Sequence, residues 1–360
     1  MMIIAPPFDK GRLGGIFYNS RGISVLFLVV AMLLMVAIGY VFSYLIPTKQ
    51  KSVALTISSN QAFFLAQSGV EFAVQYATEM SWATKPTLNG LDNMTRNLGR
   101  GSFTLDYDDP NDRLISRGQI PNASERRIVV SNFTSFLITY FGSASTPADN
   151  GTNTANPTTV IPPANMQAGD LVLMIAQARA ISGALAISNA GGQSWTSETQ
   201  QNQTNCRIRL FWCRFNGTWS ANPSVSFGSN NCNTVVMHVF RPSNTSSVWQ
   251  VDVAQVSGNF AAPPPPRTVT IPGITTITDG ALVFATWASR DNNTWGSLTG
   301  GWLIPGSDQY RNRSGLDQSQ THAYKVMATA GASGNVSKNQ ATLGGDAGAR
   351  LIIAFKVVII

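Results

Sequence analysis

ISVLFLVVAMLLMVAIGYVFSYLI, residues 23–46, contains no charged side chain, and its reading decides the fold. Wound as a helix it extends about 36 Å, enough to cross the roughly 30 Å hydrocarbon core of a bilayer. A cleaved secretory peptide has a shorter apolar core, about 7 to 15 residues, followed by a small-x-small site. Here the apolar run passes straight into Leu45-Ile46-Pro47-Thr48-Lys49, so the stretch is expected to stay with the mature chain. Lys10, Arg12 and Arg21 precede it, and Lys49 and Lys51 follow it. The positive-inside rule is therefore ambiguous. The Asn-rich, strand-patterned remainder decides orientation: the C-terminal side is translocated and the N-terminus is cytoplasmic.

Helical periodicity continues past Pro47. Ala62, Leu65, Ala66, Gly69, Phe72, Ala73 and Tyr76 recur every three or four positions, which places one apolar stripe on an amphipathic helix. Residues 23–82 thus form one long helix, hydrophobic first and amphipathic afterwards. Pro47 removes a backbone donor and crowds the preceding turn, so a kink is expected there. Residues 83–131 follow as a small region. Within it GSFTLDYDDPNDRLISRGQIPNASERRIVV, residues 101–130, reads as a hairpin turning at Asp109-Pro110-Asn111-Asp112.

Beyond residue 132 the pattern changes to short apolar or alternating runs, at 135–141, 170–176, 207–215, 235–240, 281–287, 322–327 and 351–357, separated by Gly, Asn, Pro and Ser. Nothing between them has helical length and period, so the expectation is an antiparallel sandwich or barrel. This region echoes itself. Residues 168–174 resemble 278–284, Gly191-Gly192 with Trp195 resembles Gly300-Gly301-Trp302, 207–215 corresponds to 321–328, and 234–241 to 349–356. Order is kept, as for two Greek-key halves forming one jelly roll over 132–360, with Pro263 to Pro266 as a stiff link between the halves.

Charged residues are only 12% of the chain, about half the usual share, which suits an extracellular β-protein. The net charge of +7 is spread without a basic stripe, which excludes a nucleic-acid partner. The three cysteines form no CxxC pair. Cys206 and Cys232 both open strands and are the pair chosen for a disulfide, leaving Cys213 free. His238 and His322 are the only histidines and lie far apart in the chain, so no metal ligand set is expected. After residue 132 there is one glutamate, Glu198, and no GxSxG, HExxH, P-loop or EF-hand pattern. Enzyme activity and a cofactor are not expected. Asp170 and Asp279, at matching strand starts, read as turn formers. Trp295, in SRDNNTWGS, is the aromatic chosen as an exposed ligand-stacking face.

Arg21-Gly22 directly before the apolar run resembles the prepilin peptidase site of type IV pilins and type II secretion pseudopilins, with residues 1–22 as leader and Ile23 as first mature residue. QAFFLAQSGVEFAVQYA, residues 61–77, is similar to the equivalent region of minor pilins, and Pro47 falls where such helices bend. Major pilins carry a glutamate at mature position 5, where this chain has Phe27; the resemblance then implies a tip or low-copy role. GSAST, AGDLVL, GGQSW and FRP are similar to jelly-roll modules of bacterial surface proteins.

The expected fold is α+β: a long transmembrane and amphipathic helix, a short hairpin region, and an antiparallel jelly-roll sandwich. The resemblance implies a minor pilin-like subunit of the bacterial inner membrane, later carried into a pilus. Its implied partners are prepilin peptidase, other pilin or pseudopilin subunits, membrane lipid, and a surface glycan or cell-surface ligand. The rival readings are a type II secretion pseudopilus initiating or tip component without adhesion, and a membrane-anchored glycan-active enzyme.

Overall fold

A computed structural model gives the structure and describes residues 20–80, 82, 85–131, 133–179, 183–228, 231–243, 247–264, 267–340 and 345–358. Residues 1–19 of the expected leader lie outside these, and for Arg21, Gly22 and Ile23 only the helical backbone is described. Helix α1, Ser20–Glu79, runs unbroken through Pro47. On either side of the proline, Ser43 and Thr48 donate their hydroxyls to the carbonyls of Gly39 and Tyr44, each at 2.8 Å.

The two halves of α1 differ in what they touch. Phe27, Leu33, Met35, Val36, Tyr40 and Phe42 are exposed, whereas Ala62, Leu65, Ala66, Val70, Ala73, Val74 and Ala77 are buried at three- and four-residue spacing. Their seat is a four-stranded antiparallel meander of β1 Met94–Leu98, β2 Gly101–Asp108, β3 Arg113–Ile120 and β4 Ser124–Ser131, in that order. The expected hairpin is its middle and right-hand part, and its turn lies where the sequence places it: Asp112 N–H donates to the Asp109 carbonyl at 3.2 Å. Helix and sheet meet closely because β3 carries Gly118. A Cβ there would run into the Ala62 carbonyl and the Ala66 amide.

The remaining strands build two sandwiches. The first comprises β5 Ile138–Thr146, β6 Thr158–Thr159, β7 Leu171–Ala178, β8 Ala186–Asn189, β9 Thr196–Ser197, β10 Gln201–Gln203, β11 Cys206–Arg214, β12 Ser224–Ser226 and β13 Asn233–Pro242. Its large sheet is ordered β10-β11-β7-β13-β5, with β9 also on β11, and its small sheet β6-β12-β8. The second comprises β14 Val248–Phe260, β15 Thr268–Ile271, β16 Ala281–Ser289, β17 Trp295–Gly296, β18 Tyr310–Asn312, β19 Gln318–Met327, β20 Val336–Gln340 and β21 Gly348–Val358. Its sheets are ordered β18-β19-β16-β21-β14 and β15-β20-β17. The two orders are the same strand for strand. β7 matches β16, β11 matches β19 and β13 matches β21, as the sequence echo requires.

Two expectations are corrected. The halves do not merge into one sandwich: each has its own pair of sheets, and among the described residues the only pairing across them is a bridge from Gly151 to Asn312. Nor does the proline tract link the halves, because β14 already belongs to the second sandwich through β21. Pro263 and Pro264 lie inside it, and the junction falls between Pro242 and Val248.

The sandwiches stack large sheet to large sheet, making four layers. Strand alternation explains how. In β7, Leu171, Leu173 and Ile175 pack into the core shared with Leu282 and Phe284 of β16 and Ile353 and Phe355 of β21, while Val172, Met174 and Ala176 face the small sheet through Val225 and Phe227. In β16, Val283, Ala285 and Trp287 face the other small sheet through Val269, Ile271 and Val336. Hence β7 and β16 are buried at every residue. The shared core continues through Leu137 and Phe133 into the face of α1 at Val70, Ala73 and Val74.

Candidate functional site

The largest unpartnered feature is the first half of α1. Phe27 is 75% exposed, Met35 72% and Tyr40 76%, and among the described residues no other element covers them. Large contiguous apolar surface in water costs about 25 cal/mol per Å² and marks a membrane or protein interface. Within the described residues, one helix is long and apolar enough to cross a membrane, and it is this one. The sequence makes the helix change role at Ser58, the first buried position, whose hydroxyl lies 2.9 Å from that of Ser124 on β4.

A cleft of about 280 Å³ opens where α1 meets the second sandwich, lined by Glu71, Gln75 and Thr78 on one side and by Leu303, Lys325 and Thr329 on the other. It offers one carboxylate and one ammonium. Paired-carboxylate chemistry would need a second acid there. Among the described residues no group of three or more His, Cys, Asp or Glu is arranged to hold a metal ion.

Between the stacked large sheets lies a polar seam. His238 of β13 and His322 of β19 are fully buried, with ring centroids 4.7 Å apart. Burial pushes His238 down to about 3. It also pushes His322 well down, with the neighbouring His238 and Lys338 adding to the effect. Both imidazoles are neutral. Thr286 Oγ1 lies 3.0 Å from His322 Nδ1, and Gln318 donates to the Gln177 carbonyl at 3.2 Å and to Thr234 Oγ1 at 2.7 Å. Two histidines 84 positions apart gave no sequence motif. The usable signal was strand alternation, which puts His238 in register with Thr234 and Phe240, and His322 with Gln318, Gln320 and Tyr324.

Compared with protein-family models, curated proteins and solved structures, the chain finds no match. Its residues alone must carry the reading.

Several expected site residues are relocated by the structure. Trp295 is only 4% exposed and packs in the core of the second sandwich, with its indole N–H donated to Ser319 Oγ at 3.0 Å. It is structural, because β17 pairs it to β20 and turns the ring inward. The Cys206–Cys232 disulfide is also corrected: all three cysteines are free and buried. β11 and β13 pair with opposite edges of β7, both reaching Ala178. That separates the two thiols by two strand spacings, about 9–10 Å, beyond the reach of a disulfide. Burial pushes the Cys206 thiol up to about 11 and the Cys232 thiol up to about 12, so neither is a nucleophile. Asp170 does form its turn, accepting the Gln167 N–H at 2.8 Å, and it also receives Arg241 Nε at 2.8 Å and Nη2 at 2.9 Å. The sequence reading missed that buried ion pair.

Proposed function

We propose that this chain is a minor pilin-like subunit: a single-pass inner-membrane protein, processed between Gly22 and Ile23, that enters a type IV pilus or related filament and displays a paired β-sandwich module for adhesion. The observation that carries this reading is the division of α1. Its first half is an exposed apolar rod, and its second half is seated on a four-stranded antiparallel meander. A rod of this kind can exchange lipid neighbours for other apolar helices, since its backbone bonds are all internal. Phe27, in place of an acid, favours a low-copy or tip position. Each sandwich, with its strands counted from one to eight and β9 left aside, follows the order 1-8-3-6-5 in one sheet and 2-7-4 in the other. That order supports the name jelly roll for both. Displayed at the far end of the rod, the pair is the part that would meet a surface glycan or another cell.

Mass spectrometry of the N-terminus of the chain isolated from membranes tests this. A mature end at methylated Ile23 is expected. Retention of Met1 with the Gly22–Ile23 bond intact overturns the reading and leaves a plain membrane anchor.

A further inference from the structure

The duplicated halves differ in the loops around Trp195 and Trp302. Register places Arg214 opposite Leu171 in the first sandwich and Met327 opposite Ala281 in the second. Ser224 pairs with Thr159, and Ser337 with Thr270. The segments leaving β11 and β19 are therefore equal in length, and Phe215 and Trp219 stand where the second half has Ala328 and Ala332. The preceding loops correspond as well, Gly191-Gly192 with Trp195 to Gly300-Gly301 with Trp302. In the second half this loop pair faces α1: Gly301, Ala328 and Ala332 line the cleft whose other wall is Glu71, Gln75 and Thr78, and Trp302 is buried. Small residues suit a surface that the helix approaches.

The first half carries aromatic rings there instead. Trp219 stacks on Phe215, with ring centroids 5.0 Å apart, and on Trp195, at 6.4 Å. Burial decreases along the series: Phe215 is buried, whereas Trp219 and Trp195 are half-buried. The two loops are locked to one another. Gln193, itself buried, donates to Asn216 Oδ1 at 3.0 Å and to the Thr218 carbonyl at 2.7 Å, and accepts the Asn216 N–H at 3.0 Å. Trp195 donates its indole N–H to the Ala190 carbonyl at 2.9 Å, and a Cβ on Gly191 would strike the Trp219 ring. The rings are thus held in place before any ligand arrives, which removes ordering cost from binding.

Residues 189–197 and 215–223 include no charged side chain. Next to the rings in the chain, Ser194, Thr196, Ser220 and Asn222 are exposed and offer hydroxyl and amide groups. An indole is apolar on its face, and a pyranose ring has a face of axial C–H groups and a rim of hydroxyls. The two match: the C–H face lies on the indole, and the hydroxyls bond to the neighbouring polar side chains. With no charge on either loop, a neutral sugar is favoured over an acidic one. We propose that these loops bind a neutral saccharide, with one pyranose ring stacked on Trp195. The proposal rests on the reading of the sandwiches as an adhesion module and names the chemistry that module recognises.

Fluorine NMR of the full-length chain in detergent, with its eight tryptophans replaced by fluorotryptophan, tests this against cellotetraose, chitotetraose and lacto-N-tetraose. Signals missing from Trp195→Phe and Trp295→Phe identify the two residues. At millimolar concentration at least one of the three saccharides should shift the Trp195 signal saturably and leave the Trp295 signal in place. Trp195→Ala should weaken calorimetric affinity for that saccharide by about tenfold or more, the scale of a tryptophan hot spot, while Trp295→Ala should leave the folded fraction binding as before. If Trp195→Ala does not fold, the fluorine signal of the unsubstituted chain still decides. An unmoved Trp195 signal with all three saccharides, equal affinity for sialyllactose, or affinity that survives Trp195→Ala overturns the proposal. So does attachment to cells that needs Trp195 but persists after periodate has destroyed their glycans, since the loops would then hold a protein. Each of these outcomes leaves processing at the Gly22–Ile23 bond standing, which the N-terminal mass decides separately.

Discussion

His238 and His322 meet edge to face, with interplanar angle 70°, inside the interface that joins the two sandwiches. Tyr140 of β5 and Tyr310 of β18 pack against the pair, and Tyr324 of β19 stacks on Tyr140; all three phenols are pushed up by burial, and Lys338 of β20, near His322, has its own charge disfavoured by burial. An unfolded histidine titrates near 6.5, and folded His238 titrates near 3. The unfolded chain therefore binds more protons throughout that window. Stability contributed by the neutral rings is complete above about pH 6.5 and is lost as pH falls toward the folded value. The unfolding free energy from urea titrations should drop between pH 6.5 and pH 5, by up to about 1.4 kcal/mol per pH unit for each histidine. His238→Leu should flatten that dependence.

Gly118→Ala should destabilise the seat of α1 by roughly 1–3 kcal/mol, because the new methyl meets helix backbone that cannot move aside. Gly39→Ala, on the exposed half with nothing within 4 Å of the added carbon, should be neutral or slightly stabilising. Thermal unfolding of the two variants in detergent compares them directly.

Arg241→Met should cost about 3–5 kcal/mol, since it strands the Asp170 carboxylate, fully buried at 0% exposure. Combining it with Asp170→Asn should recover much of that loss. The double-mutant cycle by urea denaturation reads the coupling.

The three thiols should resist a disulfide-exchange reagent in the native protein and all react after denaturation, with no change in gel mobility on reduction. Protection follows from burial of Cys206, Cys213 and Cys232 and from thiols pushed up by desolvation.

Trp295→Ala should lower stability by about 3–5 kcal/mol, the cost of emptying a core site, and should not selectively weaken binding of any sugar. Unfolding curves and glycan-array binding of the same variant separate the two effects.

Much of the architecture was legible in the sequence because it is written in periodicity. The charge-free run, the stripe from Ala62 to Tyr76 and the repeated apolar strands starting at Leu171 and Ala281 bury no face, one face and both faces respectively, and local pattern reports that. What was hidden depends on neighbours distant in the chain. β1 was invisible because MTRNL is an exposed edge strand, partly buried only at Met94. Trp295 read as exposed because SRDNNTWGS looks like a loop, and only its pairing to β20 turns the ring inward. The Cys206–Cys232 pairing failed because a strand start says nothing about which strand lies between. The merging of the halves failed for a related reason: fully apolar strands such as β7 and β16 do not reveal whether their second face meets a small sheet or another large one.

The back-to-back stacking makes the duplicated halves mutually dependent. Neither could be trimmed away or borrowed as a free-standing module, since a chain ending after Pro242 would lay bare Leu173, Ile175, Leu210 and Phe240 together, an oily wall that invites clumping. Any lengthening or diversification of the paired sandwiches must therefore occur at their outer small sheets and connecting loops, and leave the joined middle alone.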